Sequence, residues 1–168
     1  MADVKSIAAI AAALFAFATT SAVAQELPLR QPGAWELSTS MDEGAGPRTS
    51  KLTMCIEGDM ERNSVAASIA EHKQTCSKYD ITRKDGIVQV DANCTYGRAQ
   101  VASVTTMKGD FKSSFDVRIE STTVPPNAEI SQPVKRVIEQ TGRYIGSDCG
   151  DLLPGEARGE NGEKVLVQ

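Results

Sequence analysis

Four cysteines are the residues of this 168-residue chain best suited to covalent or metal chemistry: Cys55, Cys76, Cys94 and Cys149. They are separated by 20, 17 and 54 residues, so no C-x-x-C pair of the kind used by zinc sites occurs. An even number of cysteines in an exported chain is typical of disulfides, because the compartment beyond the membrane is oxidising. We therefore expect two disulfides rather than a metal site.

Catalytic chemistry has little support in the sequence. His72 is the one histidine, and it lies in IAEHKQTC near the predicted end of a charged helix, where the helix dipole favours an imidazole. No G-x-S-x-G, H-E-x-x-H or P-loop motif occurs. The acidic residues always allow some carboxylate pair, but no pair stands out from the others. We expect no enzyme activity, no catalytic residues and no cofactor.

The compartment follows from the first 24 residues. Lys5 precedes an apolar run of twelve residues, IAAIAAALFAFA, and Ala22-Val23-Ala24 forms an A-x-A site, so residues 1–24 read as a cleavable signal peptide. Twelve apolar residues are too few for a transmembrane helix, which needs about 20. We predict cleavage after Ala24, a periplasmic location or secretion, and no transmembrane anchor in the mature chain.

Composition excludes some partners. The chain has 18 basic and 22 acidic residues, a net charge of −4, and no long basic run, so it lacks the electrostatic signature of nucleic-acid binding. Aromatic residues make up only 5% of the chain, so the core must rely on aliphatic side chains. The remaining partners are unknown: an apolar small molecule, a peptide or an envelope protein.

The elements that would position these residues are mainly strands. Residues 33–41 and 48–56 alternate apolar and polar side chains, which is the period of a half-buried strand. Residues 59–73 carry apolar side chains at helical spacing, and Asp59 is a candidate N-cap. We therefore expect two strands followed by one helix.

A hairpin is predicted next, because Asp85-Gly86 suits a two-residue type I′ turn. That turn sets Tyr79 opposite Ala92 and Ile81 opposite Val90, so apolar side chains meet on one face. A second hairpin turns near residues 107–111, but its register stays open.

Residues 134–141 fit either a helix or a strand, and we favour a strand because Thr141, Tyr144 and Ile145 have strand propensity. The single domain is expected to span residues 25–149. Residues 150–168, rich in glycine and charge, are expected to form a disordered tail.

Strand parity bears on the disulfide pairing. Cys76 and Cys94 fall on opposite faces of the first predicted hairpin, and disulfide geometry tolerates little misdirection. We therefore favour the pairs Cys55–Cys76 and Cys94–Cys149.

Two motif residues allow both a binding and a packing interpretation. Trp35 could line a ligand cavity, but its alternation with Leu37 and Met41 favours core packing. Arg143, in TGRYIG, could contact an anion, although a structural hydrogen-bonding arginine is the simpler interpretation.

The motifs together resemble a known family. PGAWE follows an A-x-A signal, MCIEGD and TC precede a hairpin that ends in NC, and GRYIGSDC comes near the end. This order is similar to that of a family of small exported bacterial proteins, domain of unknown function 3617. The resemblance covers about Gln31 to Cys149 and implies a compartment and an architecture but no activity. Besides the four cysteines, it places family positions at Pro32, Gly33, Trp35, Glu36, Gly142, Arg143 and Gly146.

The expected fold is mainly β: a curved antiparallel sheet or incomplete barrel of six or seven strands with one short helix. The expected function is a non-enzymatic binding module whose apolar face holds a small apolar ligand or a peptide. The alternative is an envelope stress or protein-interaction protein with a filled core, docking partners through a strand edge or the acidic tail. The candidate ligand-facing residues are Trp35, Leu37, Tyr79, Ile81, Phe115 and Val117.

Overall fold

Strands dominate the computed structural model, which describes residues 26–126 and 132–167. Nine strands and one helix occur in these ranges: β1 (Gly33–Asp42), β2 (Arg48–Ile56), α1 (Gly58–Thr75), β3 (Cys76–Lys84), β4 (Ile87–Tyr96), β5 (Ala99–Gly109), β6 (Ser114–Val124), β7 (Val134–Gly146), β8 (Glu156–Gly159) and β9 (Lys164–Leu166). The predicted mainly β class with one helix is confirmed, although the sheet has more strands than expected.

All nine strands form one antiparallel sheet in the order β3-β4-β5-β6-β7-β1-β2-β8-β9. After the β1–β2 hairpin, α1 leads the chain to the far edge, and β3 to β7 return strand by strand until β7 pairs with β1. Within the described ranges β3 and β9 each pair with a single neighbour, so the sheet is open.

The predicted register of the first hairpin is confirmed. Tyr79 pairs with Ala92 and Ile81 with Val90. Asp85 and Gly86 both have positive φ, 51° and 77°, as a type I′ turn requires. The second hairpin, which the sequence left open, pairs Met107 with Val117. The ambiguous segment 134–141 is part of strand β7, as favoured.

The helix begins earlier than predicted, and its N-cap is not Asp59. The carboxylate of Glu57 accepts hydrogen bonds from the backbone N–H groups of Asp59 and Met60, at 3.0 and 2.9 Å. Asp59 lies instead in the first turn, where a negative charge suits the helix dipole. His72 lies in the last turn, as the sequence predicted.

The apolar side chains pack in two clusters on one face of the sheet. The first contains seven buried residues, Trp35, Leu37, Met54, Ile56, Phe111, Phe115 and Ala157. The second contains Ile81, Val88 and Val90, against which Ile69 of α1 packs. Met107 packs against both clusters and so joins them into one core.

A buried ion pair fixes the N-terminal segment to the helix. The Arg30 guanidinium donates to both carboxylate oxygens of Glu61, with Nε–Oε1 at 2.8 Å and Nη2–Oε2 at 2.6 Å. Glu61 is the one polar residue in the described ranges that is buried at the level of the core. Removing either partner of a buried ion pair leaves an uncompensated buried charge, which is costly. This bidentate contact therefore fixes α1 against the segment that precedes β1.

The favoured disulfide pairing is wrong: the structure joins Cys55 to Cys149 and Cys76 to Cys94. The error lies in the strand parity. The β3–β4 register shifts between Cys76 and Lys78, so the bulge turns Cys76 to the face that Cys94 occupies. Cys55, on the opposite face of β2 from Met54, is then free to reach Cys149 beyond the end of β7.

The expected disordered tail is also corrected. Residues 156–159 form β8 against β2, and residues 164–166 form β9 against β8. Ala157 pairs with Met54 and has no exposed surface, and Leu152 is also buried. The glycine-rich and charged composition of this segment led to the prediction of disorder. The buried side chains of Ala157 and Leu152 instead pack the segment against the sheet.

Two expectations concern the ends of the chain. The predicted signal peptide, residues 1–24, lies outside the described residues. In the part of the chain that is described, no helix is long and apolar enough to span a membrane.

Candidate functional site

The six residues predicted to face a ligand lie in or against the packed clusters. Trp35, Leu37, Ile81 and Phe115 are buried, with exposures of 6% or less. Tyr79 and Val117 are partly buried and pack against the second and first cluster respectively. The side chains therefore fill the space that an apolar ligand would need.

Trp35 is the centre of the first cluster. Its ring centroid lies 5.4 Å from that of Phe115 and 5.5 Å from that of Tyr144. The indole Nε1–H donates to the Gln31 carbonyl at 2.7 Å, so its polar atom is satisfied within the protein. These contacts support the packing interpretation of Trp35.

Other motif residues also have structural tasks. A Cβ at Gly142 would lie 2.7 Å from Phe115 Cδ1, and closer still to two further ring carbons. Gly33 has φ of 130°, and a Cβ there would lie 2.9 Å from the Tyr144 ring. The Tyr144 hydroxyl donates to the Pro32 carbonyl at 3.2 Å. Gly33 and Gly142 thus allow aromatic rings to approach the sheet closely.

Glu36 and Arg143 differ from the other motif residues because both are exposed on the polar face of the sheet. They are direct neighbours in the β1–β7 register. Among the described residues, neither side chain has a hydrogen-bond or ion-pair partner. The structural hydrogen bond expected for Arg143 is therefore not found, and packing explains neither residue.

A groove of about 390 Å³ lies over these two residues. It crosses the four neighbouring strands β2, β1, β7 and β6. Its lining consists of Glu36, Ser38, Lys51, Ser114, Phe115, Asp116, Thr141, Gly142 and Arg143.

The register arranges the groove in two rows of side chains. Glu36, Arg143 and Ser114 follow one another across β1, β7 and β6, and Lys51, Ser38, Thr141 and Asp116 form the next row. Neighbours within a row are about 4.8 Å apart and the rows about 7 Å apart. Each row therefore holds one cation and one anion, with hydroxyl groups beside them.

Four charged side chains line this groove. Glu36, Lys51, Asp116 and Arg143 make no ion pair with any described residue. Charges on neighbouring parts of the same face behave differently: Arg118 pairs with both Glu120 and Glu139. The hydrogen bond that the Arg118 guanidinium donates to Glu120 is the largest cause of the raised pKa of Arg118. The groove thus concentrates charges that remain available to a ligand.

The polar face carries further grooves beyond this one. A groove of about 360 Å³ shares Asp116 and Thr141 with the first. A wider one of about 510 Å³ crosses β3 to β7, with exposed Ala102 and Val104 between Lys78, Asp91, Glu120 and Lys135. The polar face therefore carries a series of grooves, and the charged groove lies at one end of this series.

Sequence reasoning missed Lys51, Ser114 and Asp116 as site residues. Strand alternation did predict that Lys51 and Asp116 point away from the apolar face. Their proximity depends on β6, β7, β1 and β2 being neighbours in space, because residues 51 and 116 belong to strands far apart in the chain.

Two features bear on catalysis: the contacts of His72, and whether any group of residues could hold a metal ion. The His72 Nδ1 lies 2.6 Å from the Ser68 carbonyl, so Nδ1 carries the proton, and the ring stacks on Tyr79. In residues 26–126 and 132–167, no three histidine, cysteine or acidic residues are grouped to hold a metal ion. His72 therefore has a packing task at the end of α1.

Comparison with protein families identifies a match over most of the chain. A family model described as protein of unknown function (DUF3617) matches residues 30–149, which confirms the resemblance carried by the motifs. No curated protein matches the chain.

Proposed function

The chain belongs to the family described as protein of unknown function (DUF3617), and from this premise we propose an exported, non-enzymatic binding module for short peptides. The peptide would carry charges of both signs. One observation carries the proposal: a single groove is lined by two cations and two anions that form no ion pair with the residues the structure describes.

The chemistry of the groove suits a peptide better than a simple ion. The planar guanidinium of Arg143 can hold a carboxylate through two parallel hydrogen bonds, and Lys51 adds a second positive charge. Glu36 and Asp116 can receive an ammonium group. The hydroxyl groups of Ser114 and Thr141 can bond to peptide amides, which are both donors and acceptors.

The site favours modest affinity. Exposed ion pairs contribute roughly 0.2–1 kcal/mol each, so four such contacts contribute at most about 4 kcal/mol, which corresponds to a dissociation constant of about 1 mM or weaker for a tripeptide. Longer peptides could extend onto the neighbouring grooves of the polar face. Because salt screens exposed charges, we expect the affinity to fall as ionic strength rises.

A small apolar ligand has less support, because the expected ligand-facing residues are packed against each other. Trp35 has no exposed surface, so binding such a ligand at this position would require the first cluster to open. Export is supported by the predicted signal peptide and by disulfides, which are compatible with an oxidising compartment.

The test is an NMR titration of the protein purified after export. The probe is the tripeptide Lys-Ala-Glu, and the comparison is capped Gln-Ala-Gln. We expect chemical-shift changes at the strands around Glu36 and Arg143 with the charged peptide. Either Arg143→Gln or Glu36→Gln should weaken binding by about two- to fivefold, with an unchanged melting temperature.

Matched controls are available on other parts of the surface. Lys84→Gln and Glu71→Gln remove one charge each at exposed positions outside the groove and should leave the affinity unchanged. Equal binding of the two peptides, or full binding by Arg143→Gln, would sink the proposal.

The alternative, a protein-interaction protein with a filled core, is favoured by a different observation. The core is filled, and the C-terminal edge strand exposes apolar side chains. The two functions use separate parts of the sheet, so evidence for one does not exclude the other.

A further inference from the structure

The C-terminal edge of the sheet is open to pairing. β9 pairs with β8 on one side, and no other described strand lies on its other side. An edge strand with a free side presents unpaired backbone groups to any extended chain that approaches it.

The register identifies the backbone groups that face outward. The Val167 N–H donates to the Gly155 carbonyl at 2.8 Å, and the Gly159 N–H donates to the Glu163 carbonyl at 3.1 Å. Hydrogen bonding alternates along an antiparallel strand, so Lys164 and Leu166 direct their N–H and C=O groups away from β8. The free edge therefore offers two donors and two acceptors.

Apolar side chains accompany these groups. Leu166 is 73% exposed, Val165 and Val167 are nearly half exposed, and Leu153 in the preceding turn is 64% exposed. The basic side chain on this edge is restrained, because the Lys164 Nζ lies 3.1 Å from Asp151 Oδ2.

The opposite edge of the sheet is protected. β3 carries exposed charged side chains along its length, including Lys78, Asp80, Arg83 and Lys84. Charged residues on an edge strand are a common defence against pairing with another chain. β9 carries a single charged residue, Lys164, whose ammonium group is paired with Asp151, and the contrast assigns the docking edge to the C-terminal side.

Charge around β9 indicates the chemistry of its partner. Residues 150–167 contain four acidic residues and two basic ones. Both basic residues, Arg158 and Lys164, pair with the same carboxylate, that of Asp151. Glu160 has no partner among the described residues. An approaching chain therefore meets a net negative charge.

We propose that β9 docks an extended segment of a partner protein by adding a strand to the sheet. The segment has aliphatic side chains at alternate positions and is flanked by lysine or arginine. Backbone hydrogen bonds to Lys164 and Leu166 supply the pairing, and the acidic surroundings select the basic flanks. A second copy of this chain fits less well, since it would bring two acidic edges together.

The proposal is tested with the full exported protein and two synthetic nine-residue peptides, KKVTVTVKK and EEVTVTVEE, by fluorescence anisotropy. The informative variant is Leu166→Pro, which removes an N–H that faces outward and no hydrogen bond to β8. We expect the basic peptide to bind at least about tenfold more tightly than the acidic one. Leu166→Pro should lose at least about tenfold in affinity without a lower melting temperature.

Leu166→Ala serves as the matched control, because it keeps the N–H and shortens the side chain. It should retain more affinity than Leu166→Pro. The proposal is overturned by equal binding of the two peptides, or by full binding to Leu166→Pro. It is also overturned if sedimentation shows a dimer of the protein that Leu166→Pro dissociates, since a second copy would then occupy the edge. Variants of the charged groove leave this edge intact, so the two proposals can fail separately.

Discussion

Gly142 illustrates how a single residue sets the packing of the core. It lies beside Phe115 in the β6–β7 register, and the aromatic ring occupies the space where a side chain would be. Phe115 in turn contacts Trp35 and stacks on Phe111, with ring centroids 5.0 Å apart. The missing side chain therefore allows the rings of Trp35, Phe111 and Phe115 to pack together.

Gly142→Ala is expected to destabilise the protein by about 1–3 kcal/mol, because the added methyl group overpacks the aromatic cluster. Gly146→Ala is the control, since a Cβ there meets no atom within 4 Å. It should change the free energy of unfolding by less than about 0.5 kcal/mol. Urea denaturation followed by Trp35 fluorescence measures both values, and equal effects would contradict the packing argument.

Asp151 ties the last two strands to the turn before them. Hydrogen bonds from Arg158, and next from Lys164, lower the pKa of its carboxyl from 3.8 to about 2. The unfolded chain therefore takes up this proton at a higher pH than the folded protein does. It follows that this carboxyl stabilises the fold above about pH 4, and that the contribution is lost as the pH falls towards 2.

Asp151→Asn should remove this pH dependence. The difference in urea midpoint between the wild type and the variant is expected to be largest above pH 4 and to shrink between pH 4 and pH 2. Parallel midpoint curves across that range would show that the Asp151 carboxylate does not contribute to stability.

At the scale of elements, one bulge decides the covalent framework. Simple strand alternation places Cys76 and Cys94 on opposite faces of the hairpin. The register shift after Cys76 turns it to the same face as Cys94, so the two cysteines can pair. The two disulfides then close loops of very different length, with sequence separations of 94 and 18 residues. Cys55–Cys149 ties the second strand to the end of the seventh, and Cys76–Cys94 fastens one edge hairpin.

The lengths of the loops closed by the two disulfides predict different losses of stability when each disulfide is removed by substitution. On chain-entropy grounds, Cys55→Ala/Cys149→Ala should cost roughly 4.7 kcal/mol and Cys76→Ala/Cys94→Ala roughly 3.2 kcal/mol. Urea denaturation of the two double variants measures the order, and the reverse order would contradict it. Peptide mapping of the non-reduced wild type checks the pairing directly.

At the scale of the molecule, the two faces of the sheet differ in composition. One face is filled by the two apolar clusters, and the other carries grooves lined with hydroxyl and charged groups. The C-terminal strands contribute to the filled face through Ala157, which belongs to the first cluster. The tail is therefore part of the fold.

Two truncations separate the parts of this tail. A chain that ends at Gly150 loses Ala157 and Leu152 and exposes Met54, so we expect a loss of about 2–5 kcal/mol. A chain that ends at Gly159 keeps both residues and removes only β9, so it should lose less than about 1 kcal/mol. Thermal unfolding compares them, and a full-stability chain ending at Gly150 would show that the tail does not support the core.

Local chemistry determined much of the fold from the sequence. Asp85-Gly86 admits a two-residue turn, and alternating side chains set the limits of β1 and β2 and the register of β3 with β4. The family was also recognisable from its motifs. These features depend on neighbouring residues, so no knowledge of the rest of the chain is needed to derive them.

The tertiary structure alone decided which strands are neighbours, which cysteines meet and where charges converge. Alternation assigns each residue to a face of its own strand, but it does not say which strand lies beside it. Lys51, Asp116 and Arg143 line one groove because β7 pairs with β1. That order, the bulge at Cys76 and the burial of Ala157 follow from packing over the whole sheet, where long-range contacts outweigh local preference.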